Sequence, residues 1–225
     1  MLFFLFSLFS FHLLLSAQDV LRGEVKIELE PTYGAYLEEQ IPSLDAETGY
    51  RRALDLASYF FSAQIYGWSF YYDVGERARG IAEELELTPL GEILWGDPGL
   101  FVTDTSAQNR VISVWMDYRP SEAQTRRLQM WKMGNIRTAQ AIGYTPLDGP
   151  VATSNWFQVR EKALEDAARA AIRAMLQGSE RNRPKEVTGF ISLESFPAFW
   201  MTGGRLAVQA RFRVEIKEIV PFAVY

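Results

Sequence analysis

Aromatic side chains recur at every second position in one short segment of the sequence. Alternate residues of a β-strand lie on the same face, so a run of this kind predicts one aromatic face. Large rings on such a face are typical of a hydrophobic core, and they also form platforms on which sugar rings stack or partner proteins pack. All three interpretations stay open. The residues concerned are Tyr66, Trp68, Phe70 and Tyr72.

Two acidic residues, Asp73 and Glu76, follow this aromatic segment directly. Glycoside hydrolysis uses a pair of carboxyl groups, so these two are the first acids to test if the rings bind a glycan. The chain contains 28 Asp and Glu in all, so some pair will lie close together in any fold. No residue is therefore assigned a catalytic role.

Residues 88–98 show no clear periodicity, and they contain one tryptophan, Trp95. The segment is therefore predicted to be a loop. A large ring is harder to bury in a loop than on a helix or strand, and binding residues are concentrated in loops. Together with the four aromatic residues above, Trp95 is the predicted contact surface for a ligand or partner.

The residue types that are missing exclude several classes of chemistry. The chain has no cysteine, and its only histidine, His12, lies in a segment that we expect to be removed. Disulfides, histidine-dependent nucleophiles and zinc or haem sites built on His or Cys are therefore not expected. No nucleotide-binding glycine motif is present. We expect no cofactor and no metal, and enzymatic activity is not expected.

The balance of charge also restricts the partners. The formal net charge is −5, and an acidic chain is a poor match for the phosphate backbone of nucleic acids. Nucleic acid is therefore not an expected partner.

The first seventeen residues, MLFFLFSLFSFHLLLSA, are almost entirely apolar, and polar residues follow at once. A spanning helix needs about 20 apolar residues, whereas a signal peptide is shorter and ends in a small residue. Residues 1–17 are therefore predicted to be a signal peptide that is cleaved after Ala17. An uncleaved anchor and a buried N-terminal helix are the alternatives. No transmembrane span is expected in the mature chain.

Regular hydrophobic patterns predict the fold of residues 18–225. Segments 21–29 and 205–217 alternate cleanly between apolar and polar residues, which indicates two half-buried strands. Pairing of these two strands, which would bring the two ends of the domain together, is a further prediction. Apolar spacings of three and four residues, with capping residues, predict helices. These helices are placed at 49–64, 74–86, 121–133 and 156–177.

The predicted fold class is α+β: a mainly antiparallel sheet with about four helices packed largely on one face. The residues expected in the core are Val25, Ile27, Val208, Phe212 and Val214. The longest helix should lie close to the sheet because its inward side chains are small. Those side chains are Ala163, Ala167, Ala170, Ala171 and Ala174.

A weak internal similarity links RALDLASYFF at 52–61 with KALEDAARAA at 162–171. It is compatible with two weakly related halves, about 18–119 and 135–225, that share one continuous sheet. A single domain without internal duplication is the simpler interpretation, because Ala and Leu are common in any helix.

These observations predict where the protein works more clearly than what it does. A cysteine-free chain with a signal segment is typical of an exported bacterial envelope protein. The predicted location is the periplasm, and secreted or envelope-associated locations are the alternatives. The predicted role is a non-catalytic binding or assembly module with an envelope protein partner. The alternative is a carboxylate-dependent enzyme or binding protein that acts on envelope glycans.

Overall fold

The structure is a computed structural model, and it describes residues 20–30, 43–76, 79–133, 136–146, 155–179 and 184–222. The predicted signal segment 1–17 lies outside the described residues.

Nine strands and three helices make up the described part of the chain. The helices are α1 (Ala46–Ile65), α2 (Glu122–Met130) and α3 (Trp156–Ser179). The strands are β1 (Leu21–Glu28), β2 (Trp68–Asp73), β3 (Glu84–Pro89), β4 (Leu100–Gln108), β5 (Val111–Tyr118), β6 (Arg137–Tyr144), β7 (Pro184–Leu193), β8 (Ala198–Thr202) and β9 (Arg205–Pro221).

The strands form two antiparallel sheets rather than the one sheet that was predicted. The small sheet has the order β1-β5-β4, and the large sheet has the order β3-β2-β7-β9-β6, with β8 also paired to β9. The α+β class and the antiparallel pairing are confirmed. The predicted pairing of the two terminal strands is wrong. β1 pairs with β5, and β9 has β6 on one edge and both β7 and β8 on the other.

The hydrophobic core joins the two sheets through α1. This helix contacts β1 and β5 of the small sheet and β7 of the large sheet. It begins at Asp45, whose carboxylate accepts a hydrogen bond from the Thr48 backbone N–H at 2.7 Å. The five predicted core residues are all buried, which confirms the alternation from which they were predicted.

Helix α3 packs on the large sheet at very short range. Ala163, Ala167 and Ala171 are fully buried, and a Cβ placed on Gly143 of β6 would lie 2.2 Å from the backbone nitrogen of Ala167. Only residues without bulky side chains allow this approach. The small-residue face is thus confirmed at its centre, although Ala174, which was predicted to belong to it, is exposed.

One predicted helix, at 74–86, is wrong. The Asp73 carboxylate accepts a hydrogen bond from the backbone N–H of Gly75 at 2.8 Å and so closes a tight turn instead of capping a helix. Gly75 has a φ of +64°, outside the helical range. The residues that follow alternate apolar and acidic and form β3, in which Leu85 lies opposite Tyr72 of β2. The described residues therefore contain three helices, and not four.

The remaining elements lie close to their predicted positions. The predicted capping box at Ser121 and Gln124 is present at the start of α2. Strand β4 is longer than predicted, because the hairpin turns at Asn109 and Arg110, whose φ values are 51° and 59°. Strand β8 was not predicted. No helix in the described ranges has the length and apolar character needed to cross a membrane.

Candidate functional site

Three of the four rings in the predicted aromatic face belong to the core. Trp68, Phe70 and Tyr72 lie on β2, and their exposed fractions are 6%, 3% and 1%. Phe70 is paired in register with Leu87 of β3 and with Gly189 of β7, so it lies on an inner strand of the large sheet. These rings therefore do not form an open platform for a sugar or a partner.

The fourth ring, Tyr66, does not share the strand. It caps the C-terminus of α1, and the next residue, Gly67, has a φ of +66° that turns the chain out of the helix. The Tyr66 hydroxyl accepts a hydrogen bond from the Gln124 side chain at 2.9 Å. Tyr66 thus helps to hold α2 against α1 and is separated from the other three rings.

The two acids that follow the aromatic segment are engaged in local structure. Asp73 closes the turn at Gly75, and Glu76 forms an ion pair with Arg79 at 3.3 Å. Asp73 is the last residue of β2 and Glu76 lies in the connection to β3, whereas the rings beside them face the core. Asp73 and Glu76 therefore do not form a carboxylate pair across an aromatic groove.

Trp95 is the predicted contact residue that the structure leaves open to solvent. Its exposed fraction is 72%, and that of the adjacent Leu94 is 66%. The loop that carries them is fixed to α1, because the backbone N–H of the buried Ile93 donates to the Ser62 hydroxyl at 2.7 Å. That hydroxyl in turn donates to the carbonyl of Ser58 at 2.6 Å. The loop is thus anchored at Ile93 and displays two apolar side chains just beyond it.

A cavity of about 580 Å³ opens beside Trp95, between α1, this loop and the first turns of α3. A second cavity of about 340 Å³ continues it along α3, and both are lined by Tyr59, Trp68 and Glu161. We call the two together the aromatic cleft. Its rings are Tyr59, Trp68, Trp95, Trp156 and Phe157.

The rings on one wall of the aromatic cleft contact each other. The centroid of Tyr59 lies 5.3 Å from that of Phe157 and 6.1 Å from that of Trp68. Trp156 packs on Phe157 and is also contacted by the guanidinium of Arg160, 5.7 Å from the ring centroid. Burial, with the charge of a neighbouring arginine, lowers the pKa of Arg160 to about 10. The wall is therefore a continuous and largely fixed aromatic surface.

Two half-buried carboxylates line the aromatic cleft, Asp55 from α1 and Glu161 from α3. Burial raises the pKa of both carboxyl groups above their usual values, and for Asp55 the nearby Arg51 opposes that shift. Within the described ranges neither side chain forms an ion pair or a hydrogen bond. By contrast, Glu165, one turn further along α3, pairs with Arg169 at 3.0 Å.

The hydroxyl of Tyr59 adds a polar group to the aromatic cleft. Burial raises the pKa of this phenol, and the negative charges of Glu161 and Glu165 raise it further. Tyr59 has no hydrogen-bond partner among the residues that the structure describes. Its O–H is thus a donor that remains free for a ligand.

Sequence reasoning missed the polar residues of the aromatic cleft. The signal that was present is a spacing of four residues between Asp55 and Tyr59, which places both on the same side of α1. Nothing comparable marks Glu161, which comes from the other end of the chain. None of the described residues form a group of His, Cys, Asp and Glu that could hold a metal ion.

Comparisons with known proteins place the chain in an evolutionary context. A family model matches residues 12–222, and its description assigns no function. The chain is also similar to an "Uncharacterized protein" of Treponema pallidum (strain Nichols), with 21% identity over 171 residues that cover 76% of this chain and 69% of the relative. No solved structure matches the chain.

Proposed function

The chain belongs to the family whose model matches residues 12–222, and we propose that it is an exported, non-catalytic binding module of the bacterial cell envelope. It engages its partner, an envelope protein, at the mouth of the aromatic cleft. The bacterial origin of the similar protein from Treponema pallidum supports the bacterial setting. The apolar segment 1–17 supports export.

The observation that carries this proposal is the exposure of Leu94 and Trp95 on an anchored loop. Covering an apolar side chain of this size stabilises a complex by about 1.5–3 kcal/mol. Because Ile93 already holds the loop on α1, little conformational freedom is lost when a partner covers these two residues. Adjacent exposed apolar residues at the edge of a cavity are typical of interaction sites.

In-cell photo-crosslinking tests the site. A photoreactive amino acid replaces Trp95, and a matched variant carries it in place of Trp115, an exposed tryptophan on β5 of the small sheet. We expect a stoichiometric adduct with one envelope protein from position 95 and none from position 115. Equal adducts from both positions, or none from position 95, would contradict the proposal.

The location is tested separately from the site. N-terminal sequencing of the protein recovered from the envelope fraction should begin at Gln18. Recovery of residues 1–17 on the mature protein would contradict cleavage after Ala17.

A glycan-directed function is the second candidate, and one observation favours it. Asp55 and Glu161 are carboxyl groups of raised pKa in an aromatic cleft, a combination that also suits glycan binding or hydrolysis. They replace Asp73 and Glu76 as the acids to test. Retention on purified peptidoglycan, lost in Asp55→Asn and Glu161→Gln, would favour this candidate over a protein partner.

A further inference from the structure

The unpaired carboxylates of the aromatic cleft indicate the charge of its ligand. A half-buried carboxylate is less well hydrated than an exposed one, so its charged form is stabilised by any cation that reaches it. Within the described part of the chain neither Asp55 nor Glu161 forms an ion pair, although the charge of the nearby Arg51 acts on Asp55. The larger cavity therefore carries negative charge that no described residue of its own lining balances.

Three arginines near the aromatic cleft are engaged elsewhere, whereas Lys162 lines its smaller cavity. Arg52 and Arg160 lie against the Trp156 ring, at 4.8 Å and 5.7 Å from its centroid. Arg51 is exposed and pairs with Glu47 at 3.4 Å. A further acid, Glu92, lines the larger cavity, in which the lining residues include no lysine or arginine. Acids therefore outnumber cations among the residues that line the two cavities.

The lining also indicates which kind of cation fits. Hard metal ions take six or more oxygen ligands, whereas much of this lining is aromatic carbon. Rings attract ammonium groups through their π faces and pack against alkyl chains. The larger cavity, about 580 Å³, is within the range of small-molecule sites. An organic cation with an apolar stem satisfies both the carboxylates and the rings.

We propose that the aromatic cleft binds an alkylammonium group, with its charge at Asp55 and Glu161 and its stem against Tyr59 and Trp95. This inference rests on the proposed function, since it assigns a ligand chemistry to the same site. The ammonium group belongs either to a free amine or to a lysine side chain of the partner, and both sources present the same chemistry to the cleft.

Calorimetric titration of the mature protein tests the inference with three probes. These are n-pentylammonium, the neutral isostere n-pentanol, and a lysine residue capped as its α-acetyl methylamide. We expect both ammonium probes to bind at least about tenfold more tightly than pentanol. Tighter binding of the capped lysine than of pentylammonium indicates a partner's lysine, and the reverse order indicates a free amine. If pentanol binds the wild-type protein as tightly as pentylammonium does, the inference is overturned.

Variants locate the site. Asp55→Asn and Glu161→Gln should each weaken pentylammonium binding by about fivefold to tenfold. Glu122→Gln removes the same charge from an exposed pair with Arg126 on α2, at a residue that does not line the cleft, and it should leave binding unchanged. If all three variants weaken binding equally, the effect is one of net charge and the inference fails. A crosslink from position 95 together with no ammonium binding would leave the proposed function standing and would overturn this ligand assignment alone.

Discussion

The two faces of α3 perform different tasks. One face is formed by small apolar residues, Ala163, Ala167 and Ala171, which lie fully buried against the large sheet. The other face carries Glu161, a half-buried carboxylate that lines the aromatic cleft and has no ionic partner in the described ranges. The first face supplies close packing, whereas the second holds a charge that forms no ion pair with a described residue.

Helix α1 is divided in the same way. Ala53, Ala57 and Phe61 are fully buried between the two sheets, whereas Asp55 and Tyr59 line the aromatic cleft. Residues that pack in the core and residues that line the aromatic cleft thus occur on the same helices, at different helical positions. This difference separates the residues that stabilise the protein from those that are available for binding.

The packed face should respond most strongly to the loss of a large side chain. Phe212 of β9 is fully buried in the core that α1 and α3 cover. Phe212→Ala leaves a cavity, so the free energy of unfolding should fall by about 3–5 kcal/mol. Urea unfolding measures this change. The control Gln209→Ala alters an exposed residue of the same strand and should change stability by less than about 0.5 kcal/mol. Similar losses in both variants would contradict the assignment of the core.

The contact of α3 with β6 should tolerate no added volume. Ala167 lies against Gly143, so Ala167→Leu must displace backbone atoms and should lower the free energy of unfolding by about 1–3 kcal/mol. Ala174→Leu adds the same side chain at an exposed position of the same helix and should change stability little. Equal behaviour of the two leucine variants in urea unfolding would show that α3 does not pack as described.

The mouth of the aromatic cleft should respond in binding and not in stability. Trp95→Ser removes an exposed ring, so the free energy of unfolding should change by less than about 0.5 kcal/mol. Binding of the capped lysine should weaken by about 1 kcal/mol, because the ring that covers the alkyl stem is lost. Trp115→Ser, at the exposed tryptophan of the small sheet, should alter neither quantity. Calorimetric titration measures the binding and thermal unfolding measures the stability of both variants. A departure from this pattern in either measurement would contradict the prediction.

The two unpaired carboxylates should have the smallest effect on stability, and removing their charges should stabilise the protein. Burial raises the pKa of Asp55 and Glu161 in the folded state. At pH values between the unfolded and folded pKa values, the folded protein therefore binds more protons than the unfolded chain. Because of this, the free energy of unfolding falls as the pH rises through that range. The variant with both Asp55→Asn and Glu161→Gln should therefore melt up to about 2 °C higher than the wild type at neutral pH. The difference should vanish below about pH 4, where the carboxyl groups of the unfolded chain are protonated. A lower melting temperature of the variant at neutral pH would show that the fold does stabilise these charges.

Regular alternation allowed much of the fold to be predicted. Val25 and Ile27 in β1, and Phe212 in β9, recur with the period of a half-buried strand, and this local signal does not depend on the rest of the chain. The helix at 74–86 was predicted wrongly because Asp73 closes a turn as readily as it caps a helix. The number of sheets depends on long-range pairing, which a local pattern does not encode.

The site could be predicted only in part. Trp95 was identified because it lies within a glycine-containing, aperiodic segment, residues 88–98, that was predicted to be a loop. Asp55 and Glu161 could not be paired from the sequence, because they lie on different helices that tertiary packing brings to one cleft. Trp68 and its neighbours carried the stronger aromatic pattern, yet most of that pattern serves the core.

The central claim is that Asp55 and Glu161 destabilise the empty protein and stabilise the occupied one. The most direct test measures the free energy of unfolding of the wild type and of the double variant, Asp55→Asn with Glu161→Gln, each with and without saturating n-pentylammonium. We predict that the variant is the more stable protein without the amine, and that the amine stabilises the wild type by at least about 1 kcal/mol more than it stabilises the variant. Equal stabilisation of both proteins by the amine would contradict the account.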